Sequence, residues 1–256
     1  MYPQAKKSLG QNFLNGGRTI EHIVDTMNLD ITIPVFEIGP GRGVLTRELL
    51  KRGVKVASLE ADHDLIPILQ EEFASEIENG TFTLLEGDIT NFRYEEIVGG
   101  KYQVVANIPF YITGLIFRRI LEEASVLPQR VCLIIQKEVA DRIVKRDGDS
   151  SILSHSIEIF GTPKYLKTIA RGSFSPAPNV DAGLLSIENI KKPELPTDLA
   201  IFFSLIKTLY RMPRKTIRNN LMGSEFESLI PNLSEELLIR RPETLTFQEV
   251  KDILGK

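Results

Sequence analysis

The chain has 256 residues, 42% of them hydrophobic and 25% charged, which is typical of a soluble protein with one large α/β domain, alone or with a small appendage. No apolar run approaches the length of a membrane span, and the net charge of −3 argues weakly against a nucleic-acid partner. The single cysteine, Cys132, excludes an intramolecular disulfide, and the three histidines lack the spacing of a metal site. We expect a cytoplasmic protein without a secretory signal, a metal or a membrane partner.

The first 150 residues alternate between short apolar strands and amphipathic helices. The predicted strands lie in PVFEIGPG, VKVASLEAD, FTLLEGD, YQVVANI and RVCLIIQ. Such alternation predicts right-handed crossovers and a parallel sheet. Two further strands, in TPKYLKTIA and VDAGLLSIENI, have no long helix between them, so we expect an antiparallel hairpin at one end of the sheet.

A change of pattern near residue 192 predicts a second domain. The segment KKPELPTD combines charge with two prolines and is typical of a linker. The pieces that follow it are amphipathic, with Ser or Thr at helix N-caps, as in LSEE and LTFQE. We therefore expect a catalytic domain over residues 1–192 and a helical domain over residues 193–256.

Positive charge is concentrated in two segments. Residues 1–20 contain Lys6, Lys7 and Arg18 and no acidic residue. Residues 201–222 also lack acidic residues, and their basic residues are Lys207, Arg211, Arg214, Lys215 and Arg218. These side chains could contact RNA phosphates or simply form solvated helix faces, and the sequence leaves both interpretations open.

Three glycines in EIGPGRG mark a candidate ligand site after the first strand. At Gly39, Gly41 and Gly43 the chain turns from strand into helix, so its backbone can approach a ligand closely. Glu60 ends the second strand and Asp88 the third, at the same edge of a parallel sheet. We expect Glu60 to accept hydrogen bonds from a ribose diol and Asp88 from an adenine amino group. Alternatively, the two carboxylates cap helices, and the glycines bind a dinucleotide or form only a tight turn.

The fourth strand ends in Asn107-Ile108-Pro109-Phe110, which favours a methyltransferase over a nicotinamide enzyme, since the latter needs a proton donor here. The Asn107 side-chain oxygen and the Ile108 carbonyl could accept both hydrogens of an adenine amine and aim its lone pair at a methyl donor. Pro109 fixes the backbone, and Phe110 offers a ring for a flipped-out base. The alternative is a strand end followed by a proline turn with a core aromatic.

Seven motifs occur in the order found in the rRNA adenine N6,N6-dimethyltransferases, and the whole chain resembles that family. They are KKSLGQNFL, EIGPGRGVLT, LEADHDL, EGDIT, NIPFYIT, QKEVADRI and FSPAPNVDAGL. The C-terminal RKTIRNNL and RRPETLTFQEVKDI are similar to the branch that acts on small-subunit rRNA. The resemblance implies a Rossmann-like α/β methyltransferase sheet with a small all-helical C-terminal domain. It also implies S-adenosyl-L-methionine as the cofactor and two adjacent adenosines near the 3′ end of small-subunit rRNA as the substrate.

The resemblance implies a role for several residues of the site. It assigns Gln11, Asn12 and Leu14 to closure over the cofactor, Gly39 to the methionine part, Glu60 to the ribose, Asp88 to the adenine and Asn107 to both cofactor and target amine. Phe174 would be a second aromatic wall of the target pocket, or alternatively a hydrophobic plug under a proline turn. The basic residues between 207 and 218 would contact rRNA in a pre-ribosomal particle, and we expect a monomer.

Two positions depart from the family pattern. Phe110 stands where Tyr is usual, which keeps the ring and loses a hydroxyl, and SSILS stands in place of Tyr-Gly-x-Leu-Ser. Two alternatives remain open at this point. One is a methyltransferase of large-subunit rRNA of the macrolide-resistance type, and the other is a weakly active RNA-binding assembly factor.

Overall fold

The computed structural model describes residues 3–6, 9–92, 100–145 and 148–255, which leaves Lys7 of the basic N-terminal segment outside the described residues. The chain divides into two compact units. The sheet unit comprises residues up to Ala140 together with Lys164–Ile190, and the helical unit comprises Asp141–Pro163 and the residues from Lys191 onward. The division after Ile190 lies beside the expected boundary at residue 192. The sequence did not place Asp141–Pro163 with the C-terminal helices, because that association depends on contacts between distant parts of the chain.

In the part of the chain that the structure describes, nine strands form two sheets. They are β1 (Phe13–Leu14), β2 (Val35–Ile38), β3 (Val56–Glu60), β4 (Phe82–Glu86), β5 (Gln103–Asn107), β6 (Arg130–Gln136), β7 (Thr162–Ile169), β8 (Phe174–Ser175) and β9 (Ala182–Glu188). The large sheet has seven strands in the order β4-β3-β2-β5-β6-β9-β7, and β1 pairs with β8 in a separate antiparallel ladder. The five predicted strands of the first 150 residues are thus confirmed.

The strand directions confirm the predicted α/β topology. Strands β2 to β6 pair in parallel, with Ile38 of β2 opposite Leu59 of β3 and Ala106 of β5. Strand β9 runs antiparallel to β6, and β7 lies beside β9 at the edge. Because parallel strands point the same way, the carboxyl ends of β2, β3 and β5 meet at one edge of the sheet.

Short helices connect the strands of the sheet unit. They are α1 (Arg18–Met27), α2 (Val44–Lys51), α3 (Ile66–Glu72), α4 (Ala74–Glu78), α5 (Thr113–Phe117) and the start of α6 (Lys137–Ile143). Helix α2 is followed by Gly53, whose φ of +80° is left-handed and whose N–H donates to the Leu50 oxygen over 2.9 Å. The helical segment after β3 is divided at Phe73 into α3 and α4.

The core of the sheet unit lies around its central strands. Val104, Val105, Ala106 and Leu133 are fully buried. Cys132 is also fully buried, and this burial raises the pKa of its thiol to about 12, so the thiol packs as an apolar group, as its place in an apolar strand predicts. Within the described ranges, no helix combines the length and apolar character needed to cross a bilayer.

The helical unit contains α7 (Ile152–Glu158), α8 (Leu199–Leu209), α9 (Ile217–Leu221), α10 (Glu235–Leu238) and α11 (Phe247–Leu254). Side chains that accept hydrogen bonds from the first helical turn cap these helices. The predicted caps Ser234 and Thr246 are confirmed, and Thr246 forms a capping box with Glu249. These caps allow helices of only four to eight residues to begin at defined positions.

Candidate functional site

A cavity that is partly open to solvent lies at the carboxyl edge of the parallel strands. The structure brings most of the predicted site residues together in its lining. These residues are Gln11, Asn12, Leu14, Gly39, Gly41, Glu60, Asp88, Asn107, Ile108, Pro109 and Phe110. The ends of three neighbouring strands therefore converge on one cavity.

The glycine turn after β2 requires glycine for two separate reasons. Gly39, Gly41 and Gly43 have φ values of +69°, +59° and +66°, which other residues rarely adopt. A Cβ on Gly41 would lie 2.9 Å from the Phe13 ring. A Cβ on Gly39 would instead have no atom of the described chain within 4 Å. The backbone at Gly39 is thus open on the cavity side, while that at Gly41 is packed against the N-terminal segment.

Glu60 at the end of β3 is a buried carboxylate held by backbone donors. Its Oε2 accepts from the Gly41 N–H over 2.9 Å, and its Oε1 accepts from the Asp62 N–H over 2.8 Å. Burial raises the pKa of Glu60, although the backbone hydrogen bonds oppose this effect. Each oxygen has a second lone pair, so the carboxylate can still accept hydrogen bonds from a ligand.

Asp88 follows β4 and is exposed at the mouth of the cavity. Its Oδ1 accepts from the Thr90 N–H over 2.8 Å, which fixes the loop as an Asx turn. The preceding residue, Gly87, donates its N–H to the Glu60 main-chain oxygen over 2.8 Å. This bond holds Asp88 and Glu60 on neighbouring parts of the same edge.

Asn107 ends β5 with its side chain oriented by the N-terminal segment. The side-chain Nδ2 of Asn107 donates to the main-chain oxygen of Asn12 over 2.9 Å. Because an amide has one donor and one acceptor end, this bond leaves Oδ1 as the acceptor available to a ligand. The Ile108 N–H donates to the Ile134 oxygen over 3.3 Å, which keeps the chain on the sheet up to Pro109. Phe110 is half-buried and packs against the core.

The segment before β1 is anchored to the loop after β3. Gln11 donates its Nε2 to Asp62 Oδ2 over 2.8 Å, and its Oε1 accepts from the Lys6 N–H over 2.7 Å. The Lys6 ammonium lies 2.5 Å from carboxylate oxygens of both Asp62 and Asp64. Although burial opposes it, these bonds from Lys6 and Gln11 lower the pKa of Asp62. Residues 9–14 are thereby held over the glycine turn.

Phe174 lies outside the described lining of the cavity. It is 3% exposed, belongs to the hydrophobic core, and stands opposite Leu14 in the β1–β8 pair. In this arrangement its ring supports the strand that carries Leu14 into the cavity wall.

Glu37 lines the cavity but was not predicted as a site residue. It is 1% exposed, and its Oε2 accepts from the Thr46 and Ser58 hydroxyls, each over 2.6 Å. Burial raises the pKa of Glu37 to about 7, against these two hydrogen bonds. The sequence contained one sign of this role, which is an acidic residue inside the apolar strand VFEI. A carboxyl group is rarely buried without a polar partner, so its position in such a strand indicates a partner in the fold.

The predicted phosphate-binding cations lie in the helical unit around α8 and α9. Lys207, Arg211, Arg214 and Lys215 are exposed. Buried Asn220 accepts from the Met212 N–H over 2.7 Å and donates to the Thr216 oxygen over 3.1 Å, which fixes the turn between these helices. Arg218 differs because its guanidinium contacts both oxygens of Glu235, at 2.6 and 2.5 Å.

Comparisons with known proteins match this chain to a described family. A family model described as ribosomal RNA adenine dimethylase matches residues 3–251. A ribosomal RNA small subunit methyltransferase A of Dehalococcoides mccartyi (strain ATCC BAA-2100) is 36% identical, with 98% of this chain and 87% of the relative covered. The protein of the same name from Clostridium botulinum (strain Okra) is 34% identical, with coverage of 95% and 90%.

Two solved structures share the fold. A dimethyladenosine transferase from Plasmodium falciparum has a TM-score of 0.75 at 22% identity, covering 95% of this chain and 96% of that one. The 23S rRNA methyltransferase ErmE has a TM-score of 0.71 at 24% identity, covering 96% and 100%. At these identities the likeness concerns the fold alone. From the family match over nearly its whole length and its relatives above 30% identity, this chain belongs to the ribosomal RNA adenine dimethylase family.

Proposed function

We propose that the protein transfers methyl groups from S-adenosyl-L-methionine to N6 of two adjacent adenosines near the 3′ end of small-subunit rRNA. It acts as a monomer on a pre-ribosomal particle in the cytoplasm. The observation that carries this proposal is the meeting of Glu60, Asp88 and Asn107 around one cavity. The 36% identity to a small-subunit methyltransferase A supports the choice of substrate.

The residues around the cavity fit the cofactor. The open backbone at Gly39 leaves room for the methionine part, and a side chain there would fill this space. Glu60 has lone pairs left for a ribose diol, and exposed Asp88 can accept from an adenine amine. Once bound, the cofactor supplies an electrophilic methyl group on a sulfonium.

The chain's own contribution to the chemistry is to position a poor nucleophile. The lone pair of an adenine amine is delocalised into the ring, so the amine reacts only when this lone pair is localised. Asn107 Oδ1 and the Ile108 main-chain oxygen accept the two amine hydrogens and turn the lone pair toward the methyl group. The ring of Phe110 stacks on the flipped-out adenine. No strong base is needed, because the nitrogen becomes acidic as it gains the methyl group.

The exposed cations Lys207, Arg211, Arg214 and Lys215 contact rRNA phosphates, and they supply a local positive charge in a chain whose net charge is −3. Arg218 contributes less, since Glu235 already compensates its charge. The helical unit thus binds the particle, and the sheet unit catalyses methyl transfer.

The test is methyl transfer to undermethylated small subunits, with protein-free large-subunit rRNA as the competing substrate. The wild type should methylate the small subunits, Asn107→Ala should be inactive, and the exposed control Asn232→Ala should match the wild type. Methylation of only the large-subunit rRNA would overturn the choice of substrate. Binding to the particle without methylation would instead identify an assembly factor.

A further inference from the structure

Tyr111 is an exposed aromatic residue at the rim of the cavity. It follows Phe110, it lines the cavity, and it is 67% exposed. Every other aromatic residue in the described part of the chain is buried or half-buried. Isolated apolar residues on a surface are common, but this ring lies in the wall of the candidate site. Its exposure therefore calls for a ligand-based explanation.

The backbone around Tyr111 gives the ring a defined position. The ring atom Cε1 lies 2.7 Å from the point that a Cβ on Gly10 would occupy, and the Pro109 Cβ lies 3.3 Å from the same point. The Ile112 N–H donates to the Pro109 oxygen over 3.2 Å, which closes the turn that carries Tyr111. One edge of the ring thus rests against Gly10, while most of its surface stays in contact with solvent. A ring held in this way can bind a flat ligand with little loss of conformational entropy.

We propose that Tyr111 stacks on the base next to the target adenosine and is a substrate-binding residue. This inference rests on the proposed function. When a base leaves a strand to enter an active site, one face of the neighbouring base becomes exposed. Stacking on an aromatic side chain then stabilises this neighbouring base. Phe110, which is half-buried, takes the flipped base, and Tyr111 at the rim takes the adjacent one.

Leu115 is the next exposed large apolar residue along the chain after Tyr111. It follows four residues later, at the spacing of one helical turn, and it is 37% exposed. An aliphatic side chain can contact the edge of a stacked base but cannot stack on it. We therefore assign the main contact to Tyr111.

The first test measures steady-state methyl transfer to undermethylated small subunits. Tyr111→Ala should raise the KM for the particle roughly 5- to 100-fold, because one lost stacking contact is worth this factor, and kcat should change much less. Tyr111→Phe and Tyr111→Trp should restore a near-normal KM, since each keeps a flat ring. Ile31→Ala, a change at another exposed apolar residue of the sheet unit, should leave the KM unchanged. A KM for Tyr111→Ala within twofold of the wild type would overturn the inference.

The second test separates this inference from the proposed function. The chain contains no tryptophan, so Tyr111→Trp and Ile31→Trp each carry a single fluorescent reporter. A short oligoribonucleotide with two adjacent adenosines should quench the reporter at position 111 and not the one at position 31. Removing the base beside the target should abolish the quenching. Equal quenching at both positions would overturn the stacking by Tyr111. Quenching at position 111 without any methyl transfer would support the stacking and reject only the proposed reaction.

Discussion

The side-chain Nδ2 of Asn107 donates a hydrogen bond to the main-chain oxygen of Asn12 over 2.9 Å. This bond joins the end of β5 to the segment that Gln11 anchors on Asp62. It also decides which end of the amide is available to a substrate. The N-terminal segment therefore orients the residue that we propose to hold the target amine.

Replacement of Asn107 by Asp tests this orientation. Asn107→Asp keeps the size of the side chain but places a carboxylate oxygen against the main-chain oxygen of Asn12, where the native amide donates. We expect kcat for methyl transfer to fall on the order of 100-fold, as for the loss of one positioned polar contact in an active site. A kcat within threefold of the wild type would contradict the assignment.

Replacement of Glu60 by Gln should weaken cofactor binding. The amide would offer N–H groups where Glu60 now accepts from the Gly41 or Asp62 N–H, and it would lose the negative charge. Hydrogen bonds to charged groups are worth about 1.5 to 3 kcal/mol, so the Kd measured by calorimetry should rise roughly 10- to 100-fold. Glu71→Gln, at an exposed position of α3, serves as the control and should bind like the wild type. Equal Kd values for the two variants would refute the role of Glu60.

Glu37 predicts a specific dependence of stability on pH. Burial raises its folded-state pKa from 4.5 to about 7, so between these values the folded protein holds a proton that the unfolded chain has released. The free energy of unfolding therefore falls as pH rises through this window. In the Glu37→Gln variant, the free energy of unfolding should fall between pH 5 and pH 8 by about 2 to 3 kcal/mol less than in the wild type. Urea denaturation at the two pH values measures this difference, and parallel pH profiles for both proteins would argue against it.

The cations of the helical unit should differ in their effect on RNA affinity. Arg214→Ala and Lys215→Ala should each reduce the slope of log K against log salt for small-subunit binding by about 1, since each removes one phosphate contact. Arg218→Ala should have a smaller effect, because its guanidinium already contacts Glu235. Filter binding at several salt concentrations provides the measurement. An effect of Arg218→Ala as large as that of Lys215→Ala would show that the ion pair opens in the complex.

Local patterns predicted the elements that hold the site. The apolar runs predicted β2, β3, β4, β5 and β6, and their alternation with helices predicted the parallel sheet. In such a sheet, polar residues at the strand ends must share one edge, so Glu60, Asp88 and Asn107 could be grouped from the sequence alone. The left-handed turn at Gly53 was predictable for a similar reason, because few other residues adopt its backbone conformation.

Contacts between distant residues were not predictable in this way. The pairing of Leu14 with Phe174 and the ion pair between Arg218 and Glu235 each join segments whose separation along the chain carries no periodic pattern. The same holds for the burial of Glu37 beside Ser58, which comes from the neighbouring strand β3.

The sequence by itself determined the α/β topology, the edge at which the site lies and the family to which the chain belongs. These properties depend on periodicity, on glycine conformations and on motif order, all of which are visible along the linear sequence. Only the tertiary structure decided that Asn12 orients Asn107, that Phe174 lies outside the cavity lining and supports Leu14, and that Tyr111 stays exposed at the rim. Those outcomes depend on how side chains from separate segments pack and hydrogen-bond, which is settled when the chain folds.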